Sequence, residues 1–407
     1  MRASRLLLLA GAVSACGDLP PPDELEAQAA ACPALDPLPV PGVDGTIVAL
    51  NAYYLQEEAA RALRRGETSS AVVEEVLTKA AALGAAAVRT NGFNDDPAKA
   101  GDSAMQIAPL TYDDTAVRGL DLVLTRAAAH GLRLVLPLGN YWNDYGGARQ
   151  YVAWAGLPAP VEGDPRFFTD PDVGALYREH LGRLLDHVNA FDGVRTGDHP
   201  AVLVWEVLNE PRGAGLDGAG AEMAAWIAAT AARVKALAPR ALVGTGEEGF
   251  ETSRDGTDAA FWEDAAPGWL FDAGTSFRRN TAAPAIDVAS VHLYPESWGF
   301  ATPDAAAAGA RWIAEHAAAA RTLGKPLLVG EFGLRNAGDL DLAARRAIYR
   351  GWFRCARTSG ALGAAPWMFA NDARPDAWDA YTFYCRDGTA PADPVNRYAD
   401  VVSEAAR

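Results

Sequence analysis

From Ile47 onward the chain alternates short apolar runs with stretches whose apolar positions recur every three to four residues. The short runs have the pattern of strands buried on both faces; the recurring positions trace the stripe of an amphipathic helix. Ile47-Val48-Ala49-Leu50-Asn51 is the first run, and residues 85–89, 132–138, 202–208, 241–243, 286–293, 326–330 and 363–369 supply the others. The first helical stripe carries Val72, Val73, Val76 and Leu77, with Ser69 or Ser70 as N-cap and Gly84 as the stop. The next carries Val117, Leu120, Leu124 and Ala127 and ends at Gly131. A third opens at Asp170-Pro171 and places Leu176, His180, Leu181, Leu184 and Val188 on one face. Residues 226–237, 305–323 and 342–357 are helical in the same way.

Eight strands alternating with helices predict parallel pairing through right-handed crossovers. A single (β/α)8 barrel of the TIM type over residues 45–407 fits both count and length, with a doubly wound open sheet as the competitor. Gly244-Thr245-Gly246-Glu247-Glu248-Gly249 matches the dinucleotide fingerprint of that competitor. Two acids stand where a pyrophosphate would lie, however, and no apolar helix follows, so these glycines read as loop turns.

The first 44 residues follow a different rule. Arg2 and Arg5 precede Leu6-Leu7-Leu8-Leu9, an apolar run too short to cross a bilayer, so residues 1–15 read as a signal peptide. Val13-Ser14-Ala15-Cys16 resembles a bacterial lipobox, which would make Cys16 a lipid anchor on the cell envelope; a plain signal peptide cut nearby is the other reading. Residues 16–44, rich in proline, alanine and acids, read as an extended, weakly structured tether. If Cys16 is lipidated, Cys355 and Cys385 can pair and leave Cys32 over; spacing does not decide the connectivity.

Composition narrows the function. A net charge of -16 repels nucleic acid and anionic lipid and suits a soluble domain with a neutral substrate. There is no C-x-x-C pair and no H-E-x-x-H, so neither a metal nor another cofactor is expected. Eleven tryptophans are a generous supply of flat platforms for sugar rings.

The chemistry collects where the apolar runs stop. Strand two ends in Arg89, strand four in Asn209-Glu210-Pro211, strand six in His292-Leu293-Tyr294, strand seven in Glu331 and strand eight in Trp367. On a closed barrel these ends converge on one face. Two opposed carboxylates suit glycoside cleavage: one donates a proton while the other attacks the anomeric carbon or activates water. Arg89 would keep the attacking carboxylate ionised, Tyr294 would hydrogen-bond it, and Trp367 would offer its face to a sugar. Glu206, Glu247 and Glu248 are rival carboxylates; Glu206 lies before the strand end, which favours Glu210. Trp142, in a loop with Tyr141 and Tyr145, is a further sugar-contact candidate, whereas Trp205 lies mid-strand and reads as packing.

Residues 205–211 (Trp-Glu-Val-Leu-Asn-Glu-Pro) and 329–333 (Val-Gly-Glu-Phe-Gly) resemble the two signature segments of the retaining (β/α)8 glycosidases. More narrowly, the chain resembles the family 5 endo-β-1,4-mannanases of fungal and plant type. Arg89-Thr90-Asn91-Gly92-Phe93-Asn94-Asp95, Gly246-Glu247-Glu248-Gly249-Phe250 and the stretch from Val291 to Trp298 support this, in order along the chain. The resemblance implies a hydrolase cleaving internal bonds of mannan, glucomannan or galactomannan by double displacement, and with the signal peptide the expectation is a secreted enzyme, expected to be a monomer. It gives Glu210 the acid/base role, Glu331 the nucleophile, and Asn209 the sugar 2-hydroxyl. Arg89, His292 and Tyr294 would orient the carboxylates, and Trp367 would lie under the sugar at the cleavage point. Asn91 stands where these mannanases usually carry a sugar-contacting tryptophan, and Met368 where glutamine is common. An endo-β-1,4-glucanase, an exo-β-mannosidase and a non-catalytic polysaccharide-binding lipoprotein are the alternatives.

Overall fold

Residues 19–216, 220–252, 268–300, 302–375 and 379–407 are described by a computed structural model. It contains eight parallel strands: β1 (Ile47–Asn51), β2 (Ala87–Arg89), β3 (Arg133–Pro137), β4 (Val202–Glu206), β5 (Leu242–Gly244), β6 (Ala289–Leu293), β7 (Leu327–Phe332) and β8 (Gly363–Pro366). They pair in the order β5-β4-β3-β2-β1-β8-β7-β6, and a parallel bridge from Gly244 to Val288 returns β5 to the start of β6. The sheet thus closes on itself as a (β/α)8 barrel, and the doubly wound alternative falls.

Register sets the polar layer. Asn51 lies beside Arg89, Glu206 lies between Pro137 and Gly244, and His292 lies beside Glu331. Ala49 and Ala87 sit two residues earlier on the same strand faces, packed with Ala365. These small side chains leave room for the Arg89 guanidinium above them. Larger ones, Val135, Leu203, Val204, Val288, Leu328 and Leu362, fill the barrel as a second cluster.

The helices start where side chains can cap them. Ser70 Oγ accepts from Val73 N at 3.4 Å, and Asp170 Oδ1 accepts from Asp172 N at 2.9 Å and Val173 N at 3.1 Å. The Asp170-led helix stops at Asp186, so Val188 falls beyond it and is 56% exposed rather than part of the buried stripe. The eighth strand ends at Pro366, three residues earlier than its apolar run, although Trp367 N still donates to Phe332 O at 2.8 Å.

The expected tether is largely a built part of the fold. Pro22–Ala29 is a helix whose Leu25 and Ala29 are fully buried against the helices Ala305–Thr322 and Leu342–Thr358. Gly351 permits this contact, since a Cβ there would meet Ala29 Cβ at 2.3 Å. Cys32 is joined to Cys355 with 5.3 Å between their Cα atoms, which leaves Cys385 as the free thiol among the described residues and overturns the Cys355–Cys385 pairing. Val40 then packs among the barrel-filling residues Leu328 and Leu362. Proline content signalled an extended chain, but the Leu25–Ala29 spacing and Cys32 carried the docking. Residues 1–15 and Cys16 lie outside the described residues. Among the described residues no helix is long and apolar enough to cross a membrane.

Candidate active site

The strand ends meet in a cleft of about 810 Å³ at the C-terminal mouth of the barrel. Arg89, Asn91, Trp142, Asn209, Glu210, Tyr294, Glu331 and Trp367 all line it. His292 is fully buried behind the wall and reaches the cleft through Glu210.

Arg89 is the hub. Its Nη1 lies 2.5 Å from Glu331 Oε1, its Nε donates to Glu206 Oε2 at 2.9 Å, and its Nη2 donates to Asn209 Oδ1 at 2.7 Å. Its side chain is 4% exposed, so this permanent cation is matched by permanent partners rather than by water. Glu206 is thereby a buried counter-ion inside the barrel and not a rival at the mouth. Asn209 passes the chain on, donating from Nδ2 to Asn140 Oδ1 at 3.0 Å.

Glu210 sits at φ +51°, a conformation unusual outside glycine. Its N–H donates to Gly246 O at 2.7 Å, and Gly246 itself has φ +72° with no room for a Cβ, which would meet Leu208 O at 2.1 Å. One glycine of the fingerprint-like loop therefore holds the Glu210 backbone. On the side chain, Trp142 Nε1 donates to Oε2 at 2.6 Å, and His292 Nδ1 lies 2.6 Å from Oε1. Burial works to raise the Glu210 carboxyl, but the His292 hydrogen bond and charge prevail and hold it down at about 2. His292 is raised in turn: burial opposes its charged form, and the charges of Glu331 and Glu210 overcome that.

Glu331 receives Tyr294 Oη at 2.5 Å on its second oxygen. Burial pushes its carboxyl up, with His292 and Arg89 pulling the other way. One oxygen of Glu210, one of Glu331 and a nitrogen of His292 all lie within 4.8 Å of one another. By distance such a trio can hold a cation, but Arg89, Tyr294 and Trp142 already donate to these carboxylates, and the guanidinium repels a further positive charge.

Several lining residues escaped the reading of the chain. Tyr53 follows β1 and obeys the same strand-end rule; Lys99, Asn140, Arg212, Trp269, Asp379 and Tyr381 come from loops and short 3-10 turns, while Glu248, a rival carboxylate by sequence, lines the cleft past β5. Arg212 binds Glu248 through Nε at 2.6 Å and Nη2 at 2.7 Å, and lies over the Trp142 ring at 4.8 Å. Glu248 is pushed up to about 7, by burial and by the charge of Glu210. Glu247 is raised further, to about 8, by burial, but bonds Asn280 instead of facing the cleft. Trp298, 4% exposed, is both packing and cleft wall.

The family described as "GH family 5 beta-mannosidase-like" matches residues 47–396. A putative mannan endo-1,4-beta-mannosidase 5 from Oryza sativa subsp. japonica is 37% identical over 331 residues, covering 78% of this chain and a little under two thirds (65%) of that protein. Mannan endo-1,4-beta-mannosidase 1 from Solanum lycopersicum is 31% identical, covering 88% of this chain and 87% of the relative. The endo-beta-1,4-mannanase from Thermotoga petrophila superposes with a TM-score of 0.77 at 26% identity, over 90% of this chain and 77% of that one. The endo-1,4-beta-mannanase from Rhizomucor miehei superposes at 0.73 with 25% identity, over 92% and 99%. Because the family match runs from the first strand past the last and so takes in every strand end that meets at the cleft, the chain belongs to glycoside hydrolase family 5, in its β-mannosidase-like group.

Proposed function

We propose that the protein is a retaining endo-β-1,4-mannanase that cleaves internal bonds of mannan, glucomannan or galactomannan. The observation that carries the reading is the closeness of the two carboxylates. Oxygens of Glu210 and Glu331 lie within 4.8 Å of each other, which supports the short carboxylate spacing of a retaining enzyme, in which one carboxylate attacks carbon directly. Mannan as the substrate is supported by the names of the curated relatives, mannan endo-1,4-beta-mannosidases that include the tomato protein.

The partners of each carboxylate divide the roles. Glu331 is paired with Arg89, which does not titrate, and acts as the nucleophile. Glu210 is paired with His292, which does, and acts as acid and then base. The Glu210–His292 pair holds one proton across its short contact. As Glu331 bonds the anomeric carbon its charge vanishes, and with it the field that favoured the imidazolium. The proton is then released through Glu210 to the departing oxygen. In the second step Glu210 takes a proton from water, which attacks the same carbon and frees Glu331. Asn209, oriented by Arg89, binds the 2-hydroxyl of the sugar, and Trp367 lies beneath that ring.

The enzyme is exported as a monomer, anchored through a lipidated Cys16. Incorporation of labelled palmitate, lost in Cys16→Ser, tests the anchor; equal labelling of both overturns it. Incubation with mannan and with carboxymethylcellulose tests the activity. Mannooligosaccharides from mannan, first released as the β-anomer, are expected. Release from the cellulose derivative alone makes the enzyme a glucanase, mannose as the sole early product makes it exo-acting, and binding without products makes it a lectin-like protein.

A further inference from the structure

Past β8 the chain turns at Asp379, whose two carboxylate oxygens have different tasks. Oδ1 accepts from Tyr381 N at 2.7 Å and from Thr382 Oγ1 at 2.9 Å, an Asx-type turn that anchors the segment. That turn needs one oxygen. The other, Oδ2, accepts from the indole Nε1 of Trp367 at 3.0 Å. Trp367 also lies parallel to Tyr53, with centroids 5.2 Å apart and an interplanar angle of 6°. Tyr53, Trp367 and Asp379 all line the cleft. Stacking sets the tilt of an aromatic plane but permits sliding and rotation within it; a hydrogen bond at one edge removes that freedom.

We infer that Asp379 is a positioning residue, whose second carboxylate oxygen fixes the edge of Trp367 and so the surface presented to the sugar at the cleavage point. The inference rests on the functional reading above for the identity of that sugar. It also explains why an acid stands there rather than the asparagine that a turn alone would accept. In Asp379→Asn the single carbonyl oxygen remains with Tyr381 N–H and Thr382, and the amide NH2 faces the indole N–H. The turn survives and the acceptor is lost.

The test compares Asp379→Asn with wild type, alone and combined with Trp367→Phe, which keeps a ring but has no N–H. Asp379→Asn is expected to keep the wild-type Tm and to lose on the order of tenfold in kcat/KM on mannopentaose, the scale of a displaced positioning group. In the Trp367→Phe background the same change is expected to cost nothing more. Full activity of Asp379→Asn overturns the proposal, as does a loss that multiplies with that of Trp367→Phe, which would mean direct contact with substrate. The indole N–H resonance of Trp367, assigned by its absence in Trp367→Phe, provides a reading free of substrate. It should move upfield in Asp379→Asn; an unmoved resonance overturns the proposal. A wild-type protein inactive on every mannan overturns the functional reading instead.

Discussion

His292 Nδ1 lies 2.6 Å from Glu210 Oε1 and 3.6 Å from Glu331 Oε1, so one buried imidazole touches both carboxylates. Glu210 depends on that imidazole for its low affinity for protons, and the imidazole depends on Glu331 for its charge. The chemistry at one carboxylate is therefore felt at the other through a single ring.

Removing Glu210 should divide the two steps. Glu210→Ala is expected to lower kcat on mannan by roughly 10²–10⁴-fold, the usual worth of a placed proton donor. The first step on a dinitrophenyl β-mannobioside, whose leaving group needs no proton, should survive, so stopped-flow measurement should show a burst followed by slow turnover. Equal loss on both substrates would remove Glu210 from the acid/base role.

The pair should also appear in stability against pH. The folded value of Glu210, about 2, lies below the ordinary 4.5, so its contribution is present above pH 4.5 and lost as pH falls toward 2. The folded value of His292 lies above the ordinary 6.5, so its contribution is full below pH 6.5 and lost as pH rises through the folded value. The Tm deficit of His292→Asn should therefore be greatest between about pH 4.5 and 6.5 and shrink on both sides. A deficit independent of pH would show that no shared proton stabilises the fold.

Arg89→Ala should be costly to the fold as well as to catalysis. It strands Glu206, which is fully buried, and removes the 2.5 Å partner of Glu331. A loss of about 3–5 kcal/mol is expected, read from urea unfolding. Arg89→Lys keeps the charge but cannot reach Glu206, Glu331 and Asn209 at once, so it should retain more stability than activity.

Breaking the Cys32–Cys355 bridge should have the opposite profile. The bond joins the N-terminal segment to the helix Leu342–Thr358, away from the residues that line the cleft. Cys32→Ser is expected to cost about 2–5 kcal/mol of stability and to leave kcat at 25 °C within twofold of wild type. A large fall in kcat without a fall in Tm would mean that the segment reaches the active site.

Most of the barrel was legible because its strands carry their own signal: buried parallel strands are apolar throughout and stop abruptly. The same stops located Arg89, Asn209, Glu210, His292, Tyr294, Glu331 and Trp367. Tyr53 stands at a strand end too, and extending the rule to β1 would have found it; Glu248, past β5, was visible as a rival carboxylate. Lys99, Arg212, Asp379 and Tyr381 were beyond its reach, since they arrive on loops whose course depends on distant partners such as Trp142 and Trp367. The docked N-terminal helix was hidden for a related reason. Its apolar face is just Leu25 and Ala29, and its meaning lies in Gly351, more than three hundred residues away.

The bridge between Cys32 and Cys355 spans a sequence separation of 323 residues. All eight strands from Ile47 onward begin inside that span except β8, which starts at Gly363. Between the two cysteines the chain is in this sense a covalent ring. A protease that cuts any loop between the two cysteines makes one nick, and both pieces stay joined. A protein with this connectivity would run as an intact chain on a non-reducing gel after cleavage and separate into fragments when reduced.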